Sequence, residues 1–530
     1  MPAPALALHD IHLTWPDGTP AFAGLDLQIP PGRSALVGAN GTGKTTLLKL
    51  LGRELQPQHG AVTAPPTVAL LPQDLALQPE TRVDAHLGLA EHRAAIAAIE
   101  AGDTDPSLFD VVGDDWAVED RVIAGLARLG LPADVLDRRL GELSGGECTS
   151  LALAGLLLER PDVLLLDEPT NNLDRRARER LHDLVAGYRG TLVVVSHDRE
   201  LLEHVDRIGE LRADPARTGT HQVGWYGGGW SDYAEQVAAE QRAAEQAVTA
   251  ARSDVRREKQ ELATMQVALA RRKRYGQKMY ETKREPRAVM KLRKSAAQES
   301  AAKHRAVNED RLAQARSRLD EAHDRLRVDE PIRVDLPRSA VPAGRQVLVL
   351  SGVELRTGAL VDLELRGPER VAVTGPNGSG KTTLLHTALG HLPPVTGTVD
   401  LRVPSRLLPQ RLDVLDPGLT VAENAAAFAP GAEVTTLRAQ LARFLFRGTA
   451  ADRPVAVLSG GELFRATLAC LLLAEPAPQL LVLDEPTNNL DLVSVGQLVS
   501  ALASYDGALL VASHDETFLA DLGVQRRIEL

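Results

Sequence analysis

The chain has 530 residues, a net charge of −11, 44% hydrophobic residues and two cysteines, Cys148 and Cys470. That length exceeds what one hydrophobic core serves, so two or more domains are expected. Two cysteines exclude a disulfide framework and a four-cysteine zinc site, the lack of any run of about 18 apolar residues excludes a membrane-spanning helix, and the acidic balance by itself argues against nucleic acid.

In chain order, Met1-Pro2-Ala3-Pro4 shows no basic n-region before an apolar core, so no signal peptide and a cytoplasmic location are expected. The apolar run Ser34-Ala35-Leu36-Val37 leads into Gly38-Ala39-Asn40-Gly41-Thr42-Gly43-Lys44-Thr45-Thr46, and Leu47, Leu48 and Leu51 follow at helical spacing. A buried strand, a G-x-x-x-x-G-K-T turn and a helix make the setting of a phosphate loop, in which backbone N–H groups close around phosphates at a helix N-terminus. Lys44 would reach the β- and γ-phosphates, and the Thr45 hydroxyl would hold Mg²⁺. The pattern recurs after Val371-Ala372-Val373-Thr374 as Gly375-Pro376-Asn377-Gly378-Ser379-Gly380-Lys381-Thr382-Thr383.

The recurrence extends to an internal repeat. Gln73 pairs with Gln410, and Leu143-Ser144-Gly145-Gly146-Glu147 with Leu458-Ser459-Gly460-Gly461-Glu462. The apolar runs ending in Asp167-Glu168 and Asp484-Glu485 match, as do the Pro-Thr-Asn-Asn-Leu-Asp segments ending at Asp174 and Asp491. Ser196-His197-Asp198 and Ser513-His514-Asp515 close each set, with His197 and His514 each 30 residues beyond the strand-ending aspartate. Buried runs such as Val193-Val194-Val195 alternate with helical patterns, which predicts an α/β fold with largely parallel sheets and ligand at the strand C-termini. The expected domains are 1–230, 231–335 and 336–530.

The middle segment is different in kind. Val237, Ala244, Val248, Ala251, Val255, Leu262, Met265 and Leu269, and on the return Leu312, Ala315, Leu319, Ala322 and Leu326, keep coiled-coil spacing. Two antiparallel helices are expected, broken between them at Gly276 and Pro286. Residues 231–330 hold 23 Lys and Arg against 17 Asp and Glu, a net of +6 that leaves the rest of the chain at −17. The tip, 271–294, concentrates Arg271, Arg272, Lys273, Arg274, Lys278, Lys283 and Arg284, interleaved with Tyr275 and Tyr280. Such segregation suggests phosphate contacts and base stacking on RNA.

The ordered set resembles the ATP-binding cassette superfamily, whose signature is the Leu-Ser-Gly-Gly-Glu element. Twin cassettes around a helical linker resemble the ABC-F subfamily. Asp115-Trp116-Ala117-Val118-Glu119-Asp120-Arg121 is similar to that subfamily's first helical subdomain, and Tyr226-Gly227-Gly228-Gly229-Trp230-Ser231-Asp232-Tyr233 to its entry into the linker. Glutamine and signature serine lie 71 residues apart in the first half and 49 in the second, and the surplus falls around Glu91–Asp115. The resemblance places a ribosome-facing arm there; a plain surface loop is the alternative. Trp116 itself is expected to be a core aromatic.

The resemblance implies two ATP molecules clamped head to tail, Lys44 facing Ser459-Gly460-Gly461 and Lys381 facing Ser144-Gly145-Gly146. Asp167 and Asp484, with Thr45, Thr382, Gln73 and Gln410, would serve Mg²⁺. Glu168 and Glu485 would polarise the attacking water, and His197 and His514 would stabilise the γ-phosphate. Trp15 lies where an aromatic stacks on adenine, whereas the matching place in the second half holds Thr357. Ser150 stands where the second half has Arg465, a difference expected to weaken packing behind the first signature. The family further implies a ribosomal partner (rRNA and tRNA, met by the tip from the tRNA exit site) and, for some members, protection against antibiotics. The competing readings are the ATP-binding subunit of a membrane exporter and a DNA-maintenance ATPase; no DNA partner is expected.

Overall fold

The computed structural model describes residues 6–73, 78–171, 173–214, 217–281, 287–324, 332, 336–488 and 490–530. Two compact units emerge, one of Met1–Asp232 with Glu330–Leu530 and one of Tyr233–Asp329.

In the first half, β1 (Leu6–Thr14), β2 (Pro20–Ile29), β3 (Arg33–Val37), β4 (His59–Thr63), β5 (Val68–Leu71), β6 (Val163–Asp167), β7 (Thr191–Val195), β8 (Arg207–Ala213) and β9 (His221–Gly227) form two sheets. One is a three-stranded antiparallel sheet, β2-β1-β4; the other runs β5-β6-β7-β3-β8-β9, parallel except for its last pair. Strands β6 and β7 are buried at every position, as sheets covered by helices on both faces require. The consequence is positional. Because β3, β6 and β7 run parallel, the turn after Val37, the pair Asp167-Glu168 and the segment Ser196-His197 all emerge at one edge.

The second half repeats the plan with β10 (Gln346–Glu354), β11 (Leu360–Arg366), β12 (Arg370–Thr374), β13 (Thr396–Leu401), β14 (Ser405–Leu408), β15 (Leu480–Asp484), β16 (Ala508–Ala512) and β17 (Arg526–Glu529). Its sheets run β11-β10-β13 and β14-β15-β16-β12-β17.

Residues Glu91–Asp115 fold into two packed helices, Ala90–Glu100 and Pro106–Val112, rather than a plain loop. Arg93 ties this insert to Glu119, Asp84 and Asp137 at 2.9–3.1 Å. Trp116 is 50% exposed and meets Phe109 at 6.2 Å, so the expectation of a core aromatic is corrected. The short hairpin gives a surface aromatic no second layer to bury against.

The second unit is a helical pair, Trp230–Glu281 and Arg287–Asp324. Val255 packs with Leu312 and Ala315, and Asn308 Nδ2 reaches Met265 Sδ at 3.6 Å, so numbers rise along one helix as they fall along the other, the antiparallel arrangement. The expected break at Gly276 is absent: the helix runs through it to Glu281. A helical glycine costs about 1 kcal/mol against alanine, too little to end so long a helix. Arg271, Arg272, Arg274 and Lys278 are exposed, and Tyr275 is 70% exposed. Pro286, Lys283 and Arg284 lie outside the described residues, as do the side chains of Lys273 and Tyr280, Leu326, and the expected boundary at 335. Among the described residues no helix is long and apolar enough to cross a membrane.

Candidate nucleotide sites

Each phosphate loop closes on a left-handed glycine. Gly43 (φ 95°) precedes the helix Lys44–Leu51, and a Cβ there would lie 2.8 Å from Phe22 Cζ. Gly380 (φ 104°) precedes the helix Lys381–Ala388, and its Cβ would lie 2.5 Å from Thr357 Oγ1. Backbone sign and space both demand glycine. Lys44 and Lys381 are buried and arch back over their loops, Lys44 Nζ donating to Gly38 O at 2.8 Å and Lys381 Nζ to Gly375 O at 2.9 Å. Burial lowers both ammonium pKa values, and the neighbouring carboxylates of Glu168 and Glu485 oppose the shift.

Behind each lysine stands a pair of acids at the end of a buried strand. Glu168 (φ 48°) and Glu485 (φ 44°) hold left-handed backbones that L side chains rarely adopt. Each is pinned by its own N–H, Glu168 to Val195 O and Glu485 to Ala512 O, both at 2.8 Å. The strained turn carries the glutamate side chain off the strand and toward the histidine: His197 Nε2 is 3.2 Å from Glu168 Oε1, and His514 Nε2 is 3.4 Å from Glu485 Oε1. Burial pushes the Glu168 carboxyl up to about 8 and that of Glu485 up to about 7, the range in which a general base works near neutral pH. Burial, reinforced by the adjacent lysine, holds His197 down at about 3 and His514 at about 4, so both imidazoles are neutral.

Of the oxygen donors expected to serve a cation, Asp167 and Asp484 are buried at their strand ends and line neither cavity, while the others lie at the cavity walls. Thr382 Oγ1 donates to Asp484 Oδ1 at 3.2 Å, and Gln410 lines the same cavity; Thr45 and Gln73 line the cavity of the first half. Few carboxylates with hydroxyl and amide oxygens suit Mg²⁺, which keeps waters and takes phosphate oxygens.

The signatures open helices, and their glutamates explain themselves. Ser144 caps Gly145–Leu158 and Ser459 caps Gly460–Leu472, each in a capping box with the glutamate three residues on. Arg453 Nη1 grips Glu462 at 2.6 Å, and Arg138 Nη1 grips Glu147 at 3.5 Å. Arg465 reaches Gln497 at 3.3 Å and lies over Phe446, whereas Ser150 is simply buried.

The halves meet head to tail. Ser144 and Gly145 line a cavity of about 510 Å³ with Lys381, Thr382, Glu485, His514 and Thr357. The other cavity, about 780 Å³, holds Trp15, Lys44, Thr45, Thr46, Glu168 and His197. Its far wall comes from the second half as Thr487, Asn488, Leu490 and Val495. Asn40 N donates to Asp491 Oδ2 across the junction at 2.7 Å, and a Cβ on Gly460 would lie 4.0 Å from Asn40 Nδ2. Ser459, Gly460 and Gly461 do not line this cavity, and Gly146 does not line the other. Sequence reasoning passed over Asn171, Asn488 and Arg178, all of which line cavities. The repeated Pro-Thr-Asn-Asn-Leu-Asp segment was the signal for the two asparagines.

Two parallel-sheet domains, paired phosphate loops and a signature presented across the junction to the second loop define a twin-cassette ATPase. The family described as ABC transporter matches twice, at residues 22–171 and 359–488. The tylosin resistance ATP-binding protein TlrC of Streptomyces fradiae is 35% identical over 97% of this chain and 95% of its own length. The energy-dependent translational throttle protein EttA of Mycobacterium tuberculosis is 30% identical over 92% of this chain and 85% of its own. The solved RNase-L Inhibitor shares the fold at a TM-score of 0.54 and 19% identity, covering 98% of this chain and 87% of that one. The chain belongs to the ABC-F subfamily of ATP-binding cassette proteins and is an ATPase that binds nucleotide.

Proposed function

We propose that the chain acts on the ribosome from the cytoplasm, using two Mg²⁺–ATP sites as a clamp and the helical unit as the element that meets rRNA and tRNA. The observation that carries the reading is charge segregation: exposed Arg271, Arg272, Arg274 and Lys278 beside an exposed Tyr275, on a chain of net charge −11. Kinship supports it, since one relative is named for translation and another for resistance to tylosin. We extend the reading to protection of the ribosome against an antibiotic, which TlrC's name and the basic tip both favour. Cell fractionation tests it. The protein should sediment with ribosomes and be released by ribonuclease; recovery with membranes would favour the exporter reading, and release by deoxyribonuclease a DNA partner.

Within each site the proposed roles follow the geometry. Lys44 and Lys381 neutralise phosphate, while Thr45, Gln73 and Asp167, or Thr382, Gln410 and Asp484, would hold Mg²⁺, whose charge would offset that of the phosphates. Glu168 and Glu485 orient and deprotonate water, with His197 and His514 as neutral partners on the γ-phosphate. The facing signature helix closes the site with its free N–H groups. Trp15, 40% exposed in the first cavity, is the adenine platform, and Thr357 occupies that place in the second. Stacking on an aromatic contributes about 1–3 kcal/mol, so Trp15→Ala should weaken nucleotide binding at the first site by about 5- to 150-fold. Thr357→Ala should change little. Isothermal titration of both variants checks this; equal effects would place the platform elsewhere.

A further inference from the structure

The helix Arg175–Gly187 begins at Asp174, and its partner Leu492–Ala503 begins at Asp491. The first turns share no residue, Arg175-Arg176-Ala177-Arg178 against Leu492-Val493-Ser494-Val495, and at the fourth position Arg178 stands opposite Val495. Val495 lines the first cavity from across the junction, and Arg178 lines the second cavity from across the junction while also bordering the first. The second site therefore receives a cation from the other half, whereas the first receives Leu492 and Val495 from the other half and has Arg178 on its own side.

Arg178 is held where acids converge. Its side chain is 15% exposed, with Nη1 3.9 Å from Asp198 Oδ2, and Asp198 Oδ2 is also 3.4 Å from His182 Nε2. The buried Nε of Arg178 makes no hydrogen bond among the described residues. Its charge acts across the junction: burial raises the carboxyls of Glu485 and Asp515, and Arg178 is among the cations that draw both back. A long cationic side chain held by one contact at 3.9 Å, with N–H groups to spare, can turn toward a new anion at little cost.

We propose that Arg178 is a specificity-determining cation supplied by the first cassette to the second nucleotide site, where it recognises the γ-phosphate and so distinguishes ATP from ADP. Its link to Asp198, the residue after His197, ties the same side chain to the first site. The inference rests on the nucleotide sites as assigned above.

The test uses the full chain with the first site silenced by Lys44→Ala and hydrolysis by Glu485→Gln. Binding of ATP and of ADP to the remaining site is measured by equilibrium dialysis, with and without Arg178→Ala. Loss of a charge-assisted contact should weaken ATP about tenfold or more while ADP binding is unchanged. Arg178→Lys should restore part of the ATP affinity, since it keeps the charge. Unchanged ADP binding also shows that the variant is folded. An equal loss for ATP and ADP, or no loss for either, overturns the inference. Lys381→Ala in the same background separates the two layers. If it abolishes binding while Arg178→Ala does nothing, only the role of Arg178 fails; if binding survives it, the site assignment fails and the inference with it.

Discussion

Glu168→Gln/Glu485→Gln should bind ATP as tightly as the unaltered chain and turn it over about 10²- to 10⁴-fold more slowly. The amide keeps the shape of the carboxylate and stays within reach of His197 or His514, at 3.2 and 3.4 Å in the parent sites, but cannot take a proton from water. Both sites carry the same lysine, acid pair and histidine, so each single variant should retain turnover at the other site. With hydrolysis blocked, the signature helices should stay closed on ATP, and expression of the double variant should arrest translation. Steady-state phosphate release and nucleotide retention on a desalting column measure the two halves of the claim. Undiminished phosphate release would remove both glutamates from the mechanism.

Much of this site was legible in the residues, because the chemistry is written in local runs. A buried strand, a glycine turn and a helix are contiguous, so Lys44 and Lys381 could be placed from Gly38-to-Thr45 and its repeat alone. The parallel sheets followed from runs such as Val163–Asp167, buried at every position. What was not legible depends on tertiary placement or on small energy differences. Nothing in the order Asp167-Glu168 announces a left-handed backbone at the glutamate; strand pairing to Val195 imposes it. Gly276 looks like a breaker, yet its neighbours' propensity outweighs it. The glutamates of the signatures were given no role from the sequence; they close capping boxes on their own helices. Arg178 stood in a run of arginines, Arg175-Arg176-Ala177-Arg178, and only the packing of the halves singles it out.

Changing Arg271, Arg272, Lys273 and Arg274 together to Gln should cost the protein most of its affinity for the ribosome. Each contact between a cation and an RNA phosphate releases counterions, so log K falls by roughly 0.7–0.9 per contact for each log unit of salt. Four lost contacts would flatten the slope by about 3. Ribosome-free ATPase activity should be retained: Arg271, Arg272 and Arg274 line neither nucleotide cavity. Any protection against an antibiotic should disappear with binding. The decisive measurement is cosedimentation of Glu168→Gln/Glu485→Gln with ribosomes in ATP over a series of salt concentrations, with and without the four tip changes. A steep salt dependence that the tip changes flatten, with binding weakened throughout, is the predicted result. Equal binding and equal slope for the two folded proteins would contradict it and leave the basic tip a solvated stretch of helix.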